Sequence, residues 1–509
     1  MCARLRPVKS NWIKLVIILL LSWTLLVWRL GERSLWVDEF LSLRMIESGQ
    51  SEVIVVSIAD KHPPLYFIAL QGWVSVAGSS DFALRFFSVV VGTVGLALMA
   101  PVARRLGDAR AVVPAAFALG VAPAFIEFSR MARYYSLLLS LGLLSTYLLL
   151  RALARGCWQD WIAYALASLA VVYTFYPSVI LIGVHGMMVF FRTHRRVLMG
   201  RWLAAAFLVV LGFLPWVLSV AGSQVARVSG SPGADLSRSM VGFVLGIASA
   251  FYTFSVGETL FPWRLETWVG LLVVLVLLGA GLLKGADRKR WQSFGLFIIS
   301  IVFISTVITF FSPSTPFLNV PVRGLFALPY YLLVITAGFI GLDSEKWRGV
   351  LGCALLAVWG VSILNNLTAQ QFLNPIYITP SKEAAAFVHQ NANANDLVIS
   401  DYDSIFGHYF PTDESSSRHL YTGEQDEIQT ALRVAAPERV WLITIGRDQT
   451  RHYASTETVR QLLAASYRLE SVALYSPMDP VYLRVKNFLL QRNSYKYRLT
   501  VESYIRDGH

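Results

Sequence analysis

The sequence predicts a mainly α-helical, polytopic membrane bundle of about eleven transmembrane helices, followed by a small C-terminal α/β soluble domain. The first observation is composition: 55% of the 509 residues are hydrophobic and 15% are charged, whereas a soluble globule carries about 25% charge. The second is a mean hydropathy of +0.54. The third is that long apolar runs recur to about residue 369 and then stop. We therefore predict a transmembrane domain over 1–369 and an extracytoplasmic domain over 370–509.

The charge pattern indicates a membrane topology and no nucleic-acid partner. The formal net charge is +12, but Lys and Arg form short clusters between apolar runs, as the positive-inside rule describes. The basic start Met1–Lys9 precedes the apolar run Leu15–Trp28, and no small-x-small cleavage site follows. We expect an uncleaved signal anchor with a cytoplasmic N-terminus. The three cysteines indicate neither a disulfide framework nor a Cys/His metal cluster.

Further apolar runs supply the remaining spans. The run Trp161–Phe191 is too long for one helix and is interrupted at Tyr176-Pro177. Arginines flank both of its ends, so both ends are expected in the cytoplasm, and the run is predicted to be a hairpin of two spans. The other predicted spans are Phe82–Val102, Ala111–Phe128, Leu137–Leu150, Trp202–Val220, Leu265–Leu283, Phe294–Phe311, Leu325–Leu342 and Val350–Leu364.

Two other apolar stretches, Leu65–Ala77 and Val241–Phe254, are predicted to be interfacial or re-entrant helices on the outer face. An odd number of spans places the region after Leu367 outside. The stretch Ser229–Ala234 contains Gly and Pro and is expected to form a mobile lid. In the C-terminal region, helical patterns alternate with β-rich runs, which predicts an α/β layer without a glycine-rich phosphate loop. The predicted elements are helices Ser381–Gln390 and Val459–Ser466 and strands Leu397–Ser400 and Val440–Ile445.

Two adjacent carboxylates, Asp38 and Glu39, follow the first span in the stretch Leu35–Phe40. A carboxylate at a membrane face is costly unless it has a partner or a function. Two interpretations stand at this point. The pair is either a solvated interfacial pair balanced by Arg33 or Arg44, or a catalytic pair.

The predicted outer face also gathers polar side chains that hydrocarbon would not tolerate. Arginine has a planar donor fork suited to phosphate, although snorkelling to lipid headgroups explains a single outer arginine equally well. Four such arginines beside two carboxylates favour a phosphorylated lipid. Pro63 and Pro64 fix a helix start at Leu65, and the histidine before them is either a ligand or a structural pin. The candidate binding residues are His62, Asp81, Arg85, Arg130, Arg133 and Arg323.

Several stretches occur in one order along the membrane portion: Ser34–Glu39, His62–Tyr66, Phe82–Ser88, Ser129–Leu137, and Arg323 followed by Pro329-Tyr330-Tyr331. In this order they resemble the GT-C superfamily of polyprenyl-phosphate-sugar-dependent glycosyltransferases. The branch they resemble is the protein O-mannosyltransferase and aminoarabinose-transferase type (glycosyltransferase family 39-like). The resemblance does not extend to residues 370–509.

The resemblance implies a GT-C-type bundle in which Asp38 is the catalytic base and Glu39 supports it. It also implies that Arg85, Arg133 and Arg323 bind the phosphate of the donor lipid. No nucleotide cofactor is implied.

Two departures from the family pattern bear on the site. The acid often found two residues before the fourth-span arginine is Met131 here, and Glu127 lies one turn earlier. The fifth-span Thr-His-Tyr of many relatives reads Thr174-Phe175-Tyr176. The missing histidine argues against a divalent-metal site here, although a divalent cation is kept as an open alternative.

We expect an inverting hexosyl- or pentosyltransferase of the cell inner (plasma) membrane. It would move a sugar from a polyprenyl-phosphate donor to a hydroxyl of a glycan, lipid or protein acceptor on the extracytoplasmic face. The alternative is a transporter or flippase of a lipid-linked or anionic substrate. That class needs polar groups near the bilayer midplane and often broken repeat helices, whereas the predicted spans have almost uncharged middles. A structural or sensory membrane protein would leave the acid pair and the arginines unexplained.

The predicted topology is tested by fusing a reporter after His509. We expect activity from a reporter that works only outside the cytoplasm, because an odd number of spans separates the two termini. Activity from a strictly cytoplasmic reporter at the same position would contradict the topology.

Overall fold

The structure is a computed structural model of the whole chain. The structure describes most of the chain, including every candidate site residue. The residues outside the description are 1–10, 48–51, 61, 193–195, 230–235, 284–287, 312–318, 371, 402–404, 411–417, 447–451, 476–480, 482–483, 486–497 and 508–509. The predicted lid at Ser229–Ala234 therefore lies almost entirely outside the described residues.

The chain divides into two compact units. The helical unit comprises Met1–Leu30 and Ser42–Leu367, and the C-terminal unit comprises Gly31–Leu41 and Thr368–His509. The short segment Gly31–Leu41 thus belongs with residues that follow it by more than three hundred positions. This segment contains both carboxylates that the sequence singles out.

Helices form almost all of the regular structure before residue 368. Apolar sequence drives them, and polar caps define their ends; in the helix that begins at Asp81, for example, the Ser80 side chain accepts the Ala83 N–H at 3.2 Å. The helices are α1 Trp12–Val27, α2 Val37–Glu47, α3 Glu52–Asp60, α4 Leu65–Ala77, α5 Asp81–Leu106, α6 Val112–Gly120, α7 Pro123–Ser129, α8 Tyr135–Arg155, α9 Trp158–Thr174, α10 Val179–Arg192, α11 Arg196–Ser229, α12 Leu236–Val256, α13 Leu265–Leu283, α14 Arg288–Phe311, α15 Val320–Arg323, α16 Leu328–Gly341 and α17 Glu345–Leu367.

Six helices in the described part of the chain are long and apolar enough to cross a membrane, or seven if the bent pair α6–α7 is one span. They lie in α5, α8, α11, α13, α14 and α17. The predicted hairpin is present as α9 and α10, with a short break at Tyr176–Ser178. The remaining predicted spans α1, α9, α10 and α16 are helices of 14 to 17 residues. The total of eleven spans therefore stays a prediction.

The described residues of the C-terminal unit form a five-stranded mixed sheet in the order β2-β1-β3-β5-β4. Strands β1, β2 and β3 are parallel to one another, and β5 is antiparallel to β3 and β4. The predicted strands and helices are present, and the sheet also contains strands that the sequence did not indicate. The elements are α18 Ser381–Asn391, β1 Leu397–Ser400, α19 Phe406–Tyr409, β2 Arg418–Tyr421, α20 Gln425–Val434, β3 Arg439–Gly446, α21 His452–Ala464, β4 Tyr467–Tyr475 and β5 Arg498–Arg506.

Both faces of the parallel strands β1 and β3 are buried. Leu397 and Ile399 point to one apolar cluster, which includes residues of α20 and α21. Val398 and Ile443 point to a second cluster on the other face, which includes residues of α18. Parallel strands covered on both faces read as continuous apolar runs, which is why β1 and β3 are visible in the sequence.

Helices α13 and α16 approach closely because both carry glycine where they cross. A Cβ built at Gly338 would overlap the backbone carbonyl oxygen of Leu277, and one built at Gly281 would overlap the carbonyl oxygen of Val334. Small residues that let helix backbones meet are typical of membrane helix pairs.

This contact predicts a specific stability loss for Gly338→Ala. The added methyl group must push two backbones apart, and overpacking of this kind costs about 1–3 kcal/mol. Gly341→Ala is the matched control, since a Cβ there meets no atom within 4 Å. Thermal unfolding of both variants in detergent measures the difference. Equal melting temperatures for the two variants would contradict the close crossing.

Candidate active site

The segment Gly31–Leu41 is fixed within the C-terminal unit by hydrogen bonds. Lys382 at the start of α18 makes two of them: its ammonium donates to the Gly31 carbonyl at 2.7 Å, and its backbone N–H donates to the Ser34 Oγ at 2.9 Å. The Leu35 N–H donates to the Tyr409 hydroxyl at 2.6 Å. The segment is therefore held along its first half by α18 and α19.

Aromatic side chains hold the second half of the same segment. Trp36 meets Tyr377 edge-on with ring centroids 4.9 Å apart. Phe40 lies 5.7 Å from the ring of His408. The side chains of Trp36 and Phe40 are both buried. The direction of the intervening residues, which include both candidate acids, is therefore set by packing on both sides.

The two acids occupy different positions at the start of α2. Glu39 is only 1% exposed, and its Oε2 accepts the Trp36 N–H at 3.2 Å. Trp36 directly precedes the helix, so Glu39 supplies the carboxylate half of a capping box. Asp38 is half-buried, on the first turn of the same helix. Geometry thus assigns a capping role to Glu39 and leaves Asp38 as the more accessible acid.

Two candidate arginines of the helical unit bind the C-terminal end of α1 and the turn after it. The Arg130 Nη1 donates to the carbonyls of Leu25 and Leu26 at 2.9 and 3.0 Å. The Arg85 Nη1 donates to the Leu30 carbonyl at 3.0 Å. The last carbonyls of a helix have no intrahelical donor, and a cation there is also favoured by the helix dipole. These arginines therefore have a structural function in addition to any ligand role.

Arg133 lies in the same part of the helical unit. Its Nη1 donates to the Ser42 Oγ at 2.9 Å, and its guanidinium lies 5.4 Å from the centre of the Tyr134 ring. The Ser88 hydroxyl of α5 donates to the Arg133 carbonyl at 3.3 Å. The side chains of Arg85, Arg130 and Arg133 are all buried, so each one is fixed in a desolvated setting.

The other candidates lie elsewhere in the helical unit. Asp81 is buried in the first turn of α5, one helical turn before Arg85. His62 contacts Asp60 through Nδ1, at 2.7 Å from its Oδ2. Arg323 is the last residue of α15. The candidate acids thus belong to the C-terminal unit, and the predicted binding residues belong to the helical unit. Their roles stay predictions.

The chain is similar to known proteins in part of its sequence and in its fold. Residues 61–218 match the family model described as dolichyl-phosphate-mannose-protein mannosyltransferase. None of the curated proteins compared with the chain matches it. ArnT from Cupriavidus metallidurans, solved bound to undecaprenyl phosphate, is similar with a TM-score of 0.50 at 13% identity, over 97% of this chain and 98% of that one. The archaeal oligosaccharyltransferase AglB from Archaeoglobus fulgidus, solved with an inhibitory peptide and a dolichol-phosphate, is similar with a TM-score of 0.51 at 12% identity, over 92% and 73%.

The chain is a membrane protein with the GT-C glycosyltransferase fold. The predicted resemblance and fold class are therefore confirmed. The family model covers α4 to α10 and part of α11, which includes Arg85, Arg130 and Arg133. Asp38, Glu39 and Arg323 lie outside the matched residues.

Sequence reasoning missed one feature of this GT-C fold, a pair of buried carboxyl groups. Glu127 of α7 and Glu258, in the loop after α12, are each 1% exposed. Burial, and then the charge of Glu127, raise the pKa of Glu258 well above its usual value. The hydroxyl of Thr253 lies 3.5 Å from the Glu258 Oε1. The sequence offers only a weak signal for this pair, namely that each acid stands close to the end of an apolar run.

A divalent cation would need a group of ligand side chains. Within the described ranges, no three His, Cys, Asp or Glu side chains come together as a group that would hold a metal ion. The divalent cation stays a prediction.

The capping role of Arg130 predicts a loss of stability on truncation. Arg130→Ala removes charge-assisted hydrogen bonds to two carbonyls of α1, each worth about 1.5–3 kcal/mol, so its melting temperature in detergent should fall by several degrees. Arg110→Ala is the control, because that side chain is 75% exposed beside Asp108. An unchanged melting temperature for Arg130→Ala, together with lost affinity for polyprenyl phosphate, would show that the ligand role dominates.

Proposed function

We propose that this protein is an inverting glycosyltransferase that moves a sugar from a polyprenyl-phosphate donor to an acceptor hydroxyl, with Asp38 as the general base. The observation that carries the proposal is that the two acids at the start of α2 differ in burial and in hydrogen bonding. Glu39 is buried in the cap, whereas Asp38 is partly accessible and held in a fixed direction by its neighbours. A base needs access to its substrate and a fixed direction.

The chemistry is a single displacement. Asp38 accepts the proton of the acceptor hydroxyl as that oxygen forms its bond to the anomeric carbon. The bond between the anomeric carbon and the phosphate oxygen breaks, and the lipid phosphate leaves with the electron pair. One displacement inverts the configuration at the anomeric carbon. No nucleotide takes part in this step.

The donor class is supported by the relatives and by the buried arginines. ArnT was solved with undecaprenyl phosphate, and AglB with a dolichol-phosphate. A leaving phosphate gains charge in the transition state, and preorganised donors in a desolvated site stabilise that charge strongly. Arg85 and Arg133 are buried and fixed by named partners. We assign them, with Arg323, to the lipid phosphate, and we assign His62, Asp81 and Arg130 to the surrounding binding site.

The proposed location follows from the apolar helices and the charge pattern. The protein is a multi-pass protein of the cell inner (plasma) membrane, with Asp38 and residues 370–509 on the extracytoplasmic side. A lipid-linked donor enters from the bilayer, and the acceptor, a glycan, lipid or protein of the cell envelope, enters from the aqueous side.

The central test is Asp38→Asn, which keeps the shape of the side chain and removes its basicity. We expect a folded protein that still binds polyprenyl phosphate and whose turnover falls by roughly 10²–10⁴-fold. Sugar transfer in nanodiscs measures the turnover, and native mass spectrometry measures the retained lipid.

Glu39→Gln is the matched control. An amide oxygen still accepts the Trp36 N–H, so the helix start should remain and turnover should fall less than in Asp38→Asn. Near-normal transfer by a well-folded Asp38→Asn protein would overturn the proposal. An equal loss of yield and melting temperature in both variants would indicate a structural acid pair instead.

A further inference from the structure

A cleft lies within the C-terminal unit, beside the segment that carries Asp38. Its volume is about 400 Å³, which falls in the range of small-molecule sites. Its lining includes Arg33 and Ser34 of the segment Gly31–Leu41, together with Thr379, Glu383 and Tyr475. Among the residues that the structure describes, all of this lining belongs to the C-terminal unit.

The side chains of the cleft offer both hydrogen-bond donors and an acceptor. The Arg33 guanidinium lies 5.4 Å from the centre of the Phe372 ring. Glu383 lies in the first turn of α18 and is exposed. Burial, and then the charge of Glu383, raise the pKa of the Tyr475 hydroxyl, so that hydroxyl keeps its proton. The cleft therefore presents a fixed cation, an acid and a neutral hydroxyl around a partly apolar floor.

The cleft lies close to Asp38 along the chain, because Arg33 and Ser34 of its lining belong to the same segment, Gly31–Leu41, as Asp38. Lys382 directly precedes Glu383 and donates hydrogen bonds to Gly31 and Ser34, the second of which also lines the cleft. Ser34 and Asp38 are four positions apart along the chain, so their Cα atoms are at most about 14 Å apart. A ligand only a few sugar rings long would reach from the cleft to the candidate base.

We propose that this cleft binds the carbohydrate part of the acceptor and presents its hydroxyl to Asp38. This inference rests on the proposed function and names its acceptor class. Sugar hydroxyls both donate and accept hydrogen bonds, so they match a carboxylate beside a guanidinium and a phenol. One cation and one anion in the lining favour a hydroxyl-rich ligand over a strongly charged one. The rim side chains Leu474 and Tyr475 would contact the apolar faces of the rings.

The test measures binding of methyl glycosides of glucose, mannose, galactose and N-acetylglucosamine to the full-length protein in nanodiscs, by saturation-transfer NMR. At least one glycoside should bind the unmodified protein. Glu383→Gln should weaken its affinity about tenfold or more, because a charged hydrogen bond becomes a neutral one. Tyr475→Phe, which removes only the hydroxyl, should weaken it less.

Asp426→Asn is the matched control, since it also replaces a first-turn helix acid, in α20, outside the cleft lining. We expect no change in glycoside affinity for this variant. Three results would overturn the inference: no glycoside binds the unmodified protein, Glu383→Gln and Tyr475→Phe both bind as tightly as the control, or an unglycosylated Ser/Thr peptide binds in place of the glycosides.

The same variants separate this inference from the proposed function. If Asp38→Asn abolishes transfer while Glu383→Gln and Tyr475→Phe both keep full glycoside affinity, the cleft assignment alone is wrong. If Asp38→Asn transfers normally while Glu383→Gln loses affinity, the cleft binds carbohydrate and the catalytic proposal is wrong.

Discussion

The double hydrogen bond of Lys382 to the segment Gly31–Leu41 is the interaction on which the candidate site depends. It joins residues that are 348 and 351 positions apart, and it fixes the chain just before Asp38. Without it, α2 and its two acids would follow the connection of residues 28–36 with two fewer hydrogen bonds to hold that connection in place. With the Tyr409 hydroxyl and the flanking aromatic rings, it makes the C-terminal unit the support of the proposed base.

Buried arginine side chains account for several contacts of the helical unit. A buried guanidinium must be hydrogen-bonded, and Arg85 and Arg130 meet this need at the carbonyls of the turns that end α1. The same interactions hold the guanidinium groups in place before any ligand arrives. A site for a leaving phosphate gains from such fixed donors, because they need no reorganisation during the reaction. The fold and the proposed catalysis therefore both require the guanidinium groups of these residues to be held in fixed positions.

The sequence predicted what local patterns encode and missed what depends on distant partners. Apolar runs predicted the helices, and β1 and β3 were visible because both of their faces are buried. Strand β4 was not visible in the sequence, because it is not buried on both faces and exposes Leu469, Val472 and Leu474. The motif match identified Asp38 and Glu39, but no local signal showed that Glu39 caps α2. Neither the capping role of Arg130 nor the pairing of Glu127 with Glu258 could be inferred, since the partners come from separate helices and loops.

The stereochemistry of transfer tests the central claim most directly. The purified full-length protein would receive a polyprenyl-phosphate sugar of known anomeric configuration and a hydroxyl acceptor, and NMR coupling at the anomeric proton would report the configuration of the product. A single displacement with Asp38 as base predicts inversion, so a β-linked donor should give an α-linked product. A product with retained configuration, or no transfer from any polyprenyl-phosphate donor, would contradict the account.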